Sequence, residues 1–192
     1  MNTPRLLLIG TASLILAACA NAQTAAPAGT PPAAAAAKPY SAADQHIYLS
    51  IAESIQFQLN MSLRLRGKYK DGPQDLLALA GKIHKEATEL WTPGVDAAMA
   101  HGVEGKKIPQ ALSKNDSAAL AKLGAIKDDK KWQLAFFEFY AKEAKKGAAD
   151  AEKGGKAVQS PDLKPFAEKA AALLKSQADE IEAKFKELKT RK

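Results

Sequence analysis

Four stretches of this chain place apolar residues three and four apart over at least four turns each, and no stretch alternates with period two long enough to make a strand. That spacing lines one face of an α-helix, so the chain is restricted to an all-α fold. The first stretch carries Ile47, Ile51, Ile55, Leu59 and Leu63 behind Ser41 and Asp44, which have capping-box spacing. Asp71-Gly72-Pro73 breaks it at about Lys70, and Leu76, Ala80, Ile83, Ala87 and Leu90 then define a second helix that Thr92-Pro93-Gly94 is expected to end. Between Pro93 and Asp128, frequent glycine and proline leave room only for short pieces such as 95–101 and 115–123. Asp128 or Asp129 caps a third long helix to about Lys153, and Ser160-Pro161-Asp162 starts a fourth, with Leu163, Ala167, Ala170, Leu174, Ala178, Ile181, Phe185 and Leu188 on one face. Four amphipathic helices with some 35 residues between the middle pair predict a four-helix bundle with one long crossover between helices two and three, the ferritin-like course.

The first 40 residues have a different character. Met1 to Ala18 carries one cation, Arg5, no acid, and an apolar run from Leu6 interrupted by Gly10, Thr11 and Ser13, which is the layout of a secretory signal peptide. A run of 13 residues spans about 20 Å as a helix, short of the roughly 30 Å hydrocarbon core of a bilayer. It ends in Leu16-Ala17-Ala18-Cys19, which resembles the lipobox of bacterial lipoproteins. The resemblance implies lipidation of Cys19 after cleavage of 1–18, and Ala20 in place of Asp implies the outer membrane, with the domain facing the periplasm. An ordinary secreted protein cut after Ala22 is the competing reading, because Ala20-Asn21-Ala22 also has small residues at the required places. Residues 20–39 hold ten Ala and four Pro and no large apolar side chain, so 19–40 reads as a lipidated cysteine with a tether, and 41–192 as the folded domain.

Leu79-Ala80 and Ile83-His84, Gly102-Val103, Ile108-Pro109, Leu112-Ser113, Phe136 with Tyr140, and Leu163, Phe166-Ala167 and Leu173 together resemble the exported bacterial family called domain of unknown function 4142, over roughly residues 42–182. The resemblance implies a ferritin-like four-helix bundle, mostly exported or lipid-anchored, with no established activity. The family pattern carries histidines on its helices, of which this chain keeps His84 but has Ala148 and Gln177 at the places on helices three and four. A di-iron bundle needs two Glu-x-x-His motifs, and the chain has none. His84 therefore reads as a structural histidine and only a weak metal candidate, and no cofactor is expected.

The lone cysteine excludes an intramolecular disulfide and a multi-thiolate zinc site, and phosphate-binding, dinucleotide-binding, serine-hydrolase and zincin motifs are absent. No catalytic residue is expected. Two features suggest binding instead. Trp132, Phe136, Phe139 and Tyr140 share a helix face, while Phe137 turns aside and is a candidate for a partner-binding patch. The basic surplus, 28 Lys and Arg against 21 Asp and Glu for a net +7, crowds two helix ends: Arg64, Arg66, Lys68 and Lys70, and Lys184, Lys186, Lys189, Arg191 and Lys192. In a ferritin-like course these ends meet beside Lys127, Lys130 and Lys131, away from the anchor. The expectation is a non-enzymatic lipoprotein, held to the membrane through Cys19, that binds or scaffolds an anionic envelope polymer or protein and not nucleic acid. The alternative is a ferritin-like metal-binding or redox protein of the envelope.

Overall fold

The computed structural model describes residues 37–191. Residues 1–36, with the expected signal segment 1–18, Cys19 and most of the expected tether, and Lys192 lie outside the described residues. Within them there are five α-helices: α1 Ala42–Lys68, α2 Gln74–Ala100, α3 Lys114–Gly124, α4 Asp129–Ala157 and α5 Lys164–Thr190, with a single 3-10 turn at Gly105–Lys107 and no strand. No described helix is long and apolar enough to cross a membrane.

Ser41 caps α1 by accepting from the Asp44 backbone N–H at 3.1 Å, and its hydroxyl donates to Asp44 Oδ2 at 2.9 Å. The same carboxylate is buried, and its Oδ1 accepts from Gln159 N–H at 2.9 Å, which ties the start of α1 to the α4–α5 connection. The step-of-four series begun at Ile47 drifts about 40° per step around a helix of 3.6 residues per turn. It leaves the core by Leu63, which is half exposed, and Met61 and Leu65 take over.

The expected stop at Thr92-Pro93-Gly94 is overturned, because α2 continues through it to Ala100. Inside a helix proline removes an N–H and its ring crowds the carbonyl four residues back, at about 3 kcal/mol or more. Pro93 lies on the exposed side, where water can reach the carbonyl it leaves free. On the other side Gly94 and Ala98 are buried, and a methyl group at Gly94 would collide with the Phe166 ring, so close packing onto α5 carries the helix onward. It stops at Gly102, whose φ of +85° is the left-handed conformation that glycine tolerates. The start of α5 also differs. Pro161–Leu163 form a turn, and the helix begins at Lys164 with Pro165 in its first turn. The buried Leu163 side chain pins that turn among Tyr40, Tyr48 and Ala98.

Cross-helix contacts give the directions. Lys68 at the end of α1 pairs with Asp129 at the start of α4 at 3.6 Å, and Arg191 after α5 pairs with Asp75 at the start of α2 at 2.7 Å. At the other end Gln159 meets Asp44, and Tyr40 N–H donates to His101 O at 2.9 Å. So α1 and α5 point one way and α2 and α4 the other. The segment 101–128, with α3, returns the chain along the bundle.

Phe137 does not lie on a free surface: it is fully buried, its ring centroid 5.6 Å from Phe136 and 6.4 Å from Tyr140. The helical wheel fails here because α4 packs against two long helices. Tyr140 faces α1 through Phe57, at 5.8 Å between centroids. Phe137 heads a second stripe, Ala141, Ala144, Ala148 and Ala151, that runs on to Gly155 against Ala167 of α5. Two neighbours bury an arc wider than one amphipathic face. Phe137→Ala should therefore lower unfolding free energy by about 3–5 kcal/mol, read as a shift of the urea midpoint. An unshifted midpoint would restore the exposed reading.

Candidate functional site

Three segments meet at the end of the bundle where α1 and α5 finish and α2 and α4 begin. Residues 64–75, 122–131 and 184–191 hold twelve Lys and Arg against five Asp and Glu. At the opposite end residues 37–49, 92–107 and 150–164 hold six of each. The bundle is thus electrically one-sided, and the surplus equals the net charge of the whole chain.

The cations at this end divide into two groups. Lys184 and Arg191 are engaged: both reach Asp75 Oδ2, at 3.1 and 2.7 Å, and both contact Glu187. The Arg191 guanidinium, helped by a smaller pull from Lys184, holds the Asp75 carboxyl down to about 2 despite the opposing effect of burial. Lys68 is shared between Asp129 and the face of Trp132, 5.3 Å from the ring centroid, while Tyr69 donates its hydroxyl to Asp129 at 2.9 Å. Lys186 leans back along α5 to Glu182 at 3.2 Å, which also takes Lys145 of α4 at 2.7 Å. The remaining group, Arg64, Arg66, Lys70, Lys122, Lys127, Lys130 and Lys131, is exposed and has no carboxylate within ion-pair distance among the described residues. Lys189 is likewise without one and lies over the Phe185 ring at 4.8 Å. Lys130 and Arg191 line one shallow hollow with Gln133, Leu134 and Leu188, and Arg64 lines another beside α3 and Trp132. Of the residues singled out in the sequence, the structure gathers Arg64, Arg66, Lys68, Lys184, Lys189 and Arg191 at one end, and removes Phe137 from the surface.

His84 is half-buried on α2, with Nδ1 3.2 Å from Ser62 Oγ. The Ser62 hydroxyl also lies 2.8 Å from Leu59 O, a backbone acceptor within reach of its hydrogen. Gln177 of α5 donates to Glu86 Oε2 at 3.2 Å beside it. Among the described residues no three His, Cys, Asp or Glu side chains converge to hold a metal ion. His101 stacks on Tyr40 with centroids 4.3 Å apart and its Nδ1 lies 2.7 Å from Lys38 O, while His46 is exposed at the start of α1.

The residues that sequence reasoning missed are the acids of the basic end. Asp75 and Asp129 look like ordinary first-turn residues in the sequence, and only tertiary packing sets them against cations of other helices, whereas Glu187 takes Lys184 and Arg191 from its own segment. No protein-family model matches the chain, and neither a curated protein nor a solved structure matches it.

A carboxylate with a depressed pKa stabilises the fold above its unfolded value, here 3.8, and loses that contribution as pH falls through its folded value near 2. Asp75→Asn should lower the urea midpoint at neutral pH, and the gap to the parent chain should close between pH 4 and pH 2. A gap that persists at pH 2 would show that the clamp is not ionic.

Proposed function

We propose that this chain is a non-enzymatic, lipid-anchored bacterial envelope protein whose basic bundle end binds an anionic envelope polymer or the acidic face of a partner. The observation that carries the reading is the charge asymmetry: twelve cations against five acids at one end, six against six at the other. Exposed cations that no carboxylate neutralises set up a positive field over a few ångströms of solvent, which concentrates polyanions and fades within about 8–10 Å at physiological salt. Tyr40 enters the bundle at the neutral end, so a tether through residues 19–40 would present the basic end to whatever lies beyond. The distance between ends is about 40 Å for helices of 27 residues.

The helix directions support a ferritin-like course, as the family resemblance implies, with α3 carried in the crossover. The resemblance and the lipobox-like Leu16-Ala17-Ala18-Cys19 support an exported protein at the outer membrane, held there through Cys19. A single cysteine bearing several acyl chains exceeds the two-signal threshold for stable anchoring.

Two measurements test this reading. The full chain should bind a soluble polyanionic glycan such as dextran sulfate, and the triple reversal Arg66→Glu, Lys130→Glu, Lys189→Glu should weaken binding by about tenfold or more while leaving the unfolding midpoint in place. Affinity that ignores both salt and the reversal would dismiss the basic end. Separately, mass spectrometry of the protein from bacterial envelopes should find acyl chains on Cys19, and Cys19→Ser should move the protein from the detergent phase to the aqueous one. A mature chain beginning at Gln23 without lipid would favour simple secretion.

A further inference from the structure

The segment that carries the chain from α2 to α4 is fastened at its two ends and hardly at all between them. Ile108 is 2% exposed and sits in the core at the neutral end with Tyr48 and Ala98. Trp132 is 9% exposed and stacks on Phe136 with ring centroids 4.7 Å apart. Between Pro109 and Lys131 the one buried residue is Leu120, with Leu112, Leu123 and Ile126 half-buried. Among the described residues no hydrogen bond or ion pair joins residues 111–127 to another element. The cap of α3 is internal: the Ser113 hydroxyl donates to Asp116 Oδ2 at 2.7 Å and accepts the Asp116 N–H at 3.1 Å. The last polar tie before it is exposed, Gln56 Nε2 donating to Gln110 O at 2.9 Å.

Both flanks of α3 are loosely packed. A groove of about 550 Å³ lies between Asp116 and Ala119 on one side and Phe57 and Phe139 on the other. A hollow of about 300 Å³ lies between Leu120, Leu123 and Gly124 of α3, Arg64 of α1 and Trp132 of α4. Where side chains do not meet, dispersion attraction is lost. A helix of 11 residues is also marginal by itself in water, so α3 cannot keep its backbone hydrogen bonds once it lifts away. Few buried apolar contacts and no polar ties mark a segment that opens locally at far lower cost than the whole fold.

We propose that residues 111–127 are a strap that opens over the α1–α4 interface while the long helices stay folded, and that a polyanion at the basic end holds it shut. Lys122 in the last turn of α3 and Lys127 beyond it belong to the exposed cations of that end, and Arg64 lies across the smaller hollow from Leu123 and Gly124. With the strap closed, cations of α1, α4 and the crossover stand together, and opening carries Lys122 away from Arg64. A polyanion therefore binds the closed form more tightly and shifts the equilibrium toward it by the ratio of the two affinities. The opening follows from packing alone, and only its control by a polyanion rests on the proposed function.

Hydrogen–deuterium exchange of the full chain in non-ionic detergent, read by mass spectrometry, tests both parts. Amides 117–124 should be about 100-fold or more less protected than those at the centres of α1, α4 and α5. Leu120→Ala should shift the urea midpoint far less than Leu174→Ala in α5, although the two leucines are only 7% and 1% exposed, because removing the anchor of the strap opens the strap and leaves the long helices packed. Dextran sulfate should raise the protection of 117–124 about threefold or more, and Lys122→Gln should reduce that gain. Protection of 117–124 equal to that of α4, or equal midpoint losses in the two leucine variants, would overturn the strap whether or not the basic end binds. Dextran sulfate that binds without protecting these amides would overturn the control by polyanion and leave the basic end as a binding site. Dextran sulfate that does not bind would overturn that control together with the proposed function, while weak protection in the ligand-free chain would still support the strap.

Discussion

The close approach of α4 and α5 underlies the rest of the architecture. Ala141, Ala144, Ala148 and Ala151 are buried on one helix, and Ala167, Ala170 and Ala178 on the other. Side chains this small bring two backbones near enough for extensive van der Waals contact, at little loss of rotamer freedom. Along this seam the two backbones run close together over more of their length than those of any other helix pair. Its antiparallel hairpin leaves α4 a second face for α1, which is filled by aromatics instead: Trp132 against Tyr69, and Tyr140 against Phe57. One helix thus carries a thin side and a thick side, and the two long hairpins are seated by that difference.

Because α2 and α4 run in the same direction, the connection between them must travel the length of the bundle. The segment 101–128 does so, with α3 against α4 and Gln56 donating to Gln110 O at 2.9 Å. The charge distribution is a product of this course. Cations favour helix C-termini, where they complement the macrodipole. An up-down-up-down bundle would put the ends of its first and last helices at opposite poles, whereas here α1 and α5 finish together. The cross-helix ion pairs at that pole are mostly exposed and individually contribute little to stability. Their larger effect is on geometry, since Asp75 holds both Lys184 and Arg191 and so sets the register of α2 against α5.

Local chemistry was legible and long-range compensation was not. The Ser41 and Asp128 caps, the break at Asp71-Gly72-Pro73 and the short helix near 115–123 all follow from signals within a few residues, and the structure places α1, α3 and the start of α4 within a few residues of those expectations. The stop at Pro93 failed because Gly94 packs against a residue 72 positions later, and no local signal announces that. Phe137 failed for the same reason, since one wheel cannot reveal that a helix has two partners. The end-on gathering of Arg64, Arg66, Lys189 and Arg191 could be anticipated from helix order, but the Asp75 carboxylate of another helix that pairs with Lys184 and Arg191 could not.

The junction at Tyr40 has a mechanical side. Its backbone N–H is bonded to His101 O, its ring is stacked on the His101 imidazole, and Lys38 O lies 2.7 Å from that imidazole. Tension applied through the preceding chain would reach this joint before it reached the first turn of α1. The load would be divided between two helices, α1 and α2, and would pull on a stacked pair and two hydrogen bonds in place of peeling a helix terminus one bond at a time. A bundle leashed by its N-terminal side could be tugged repeatedly while the cap at Ser41 stayed closed.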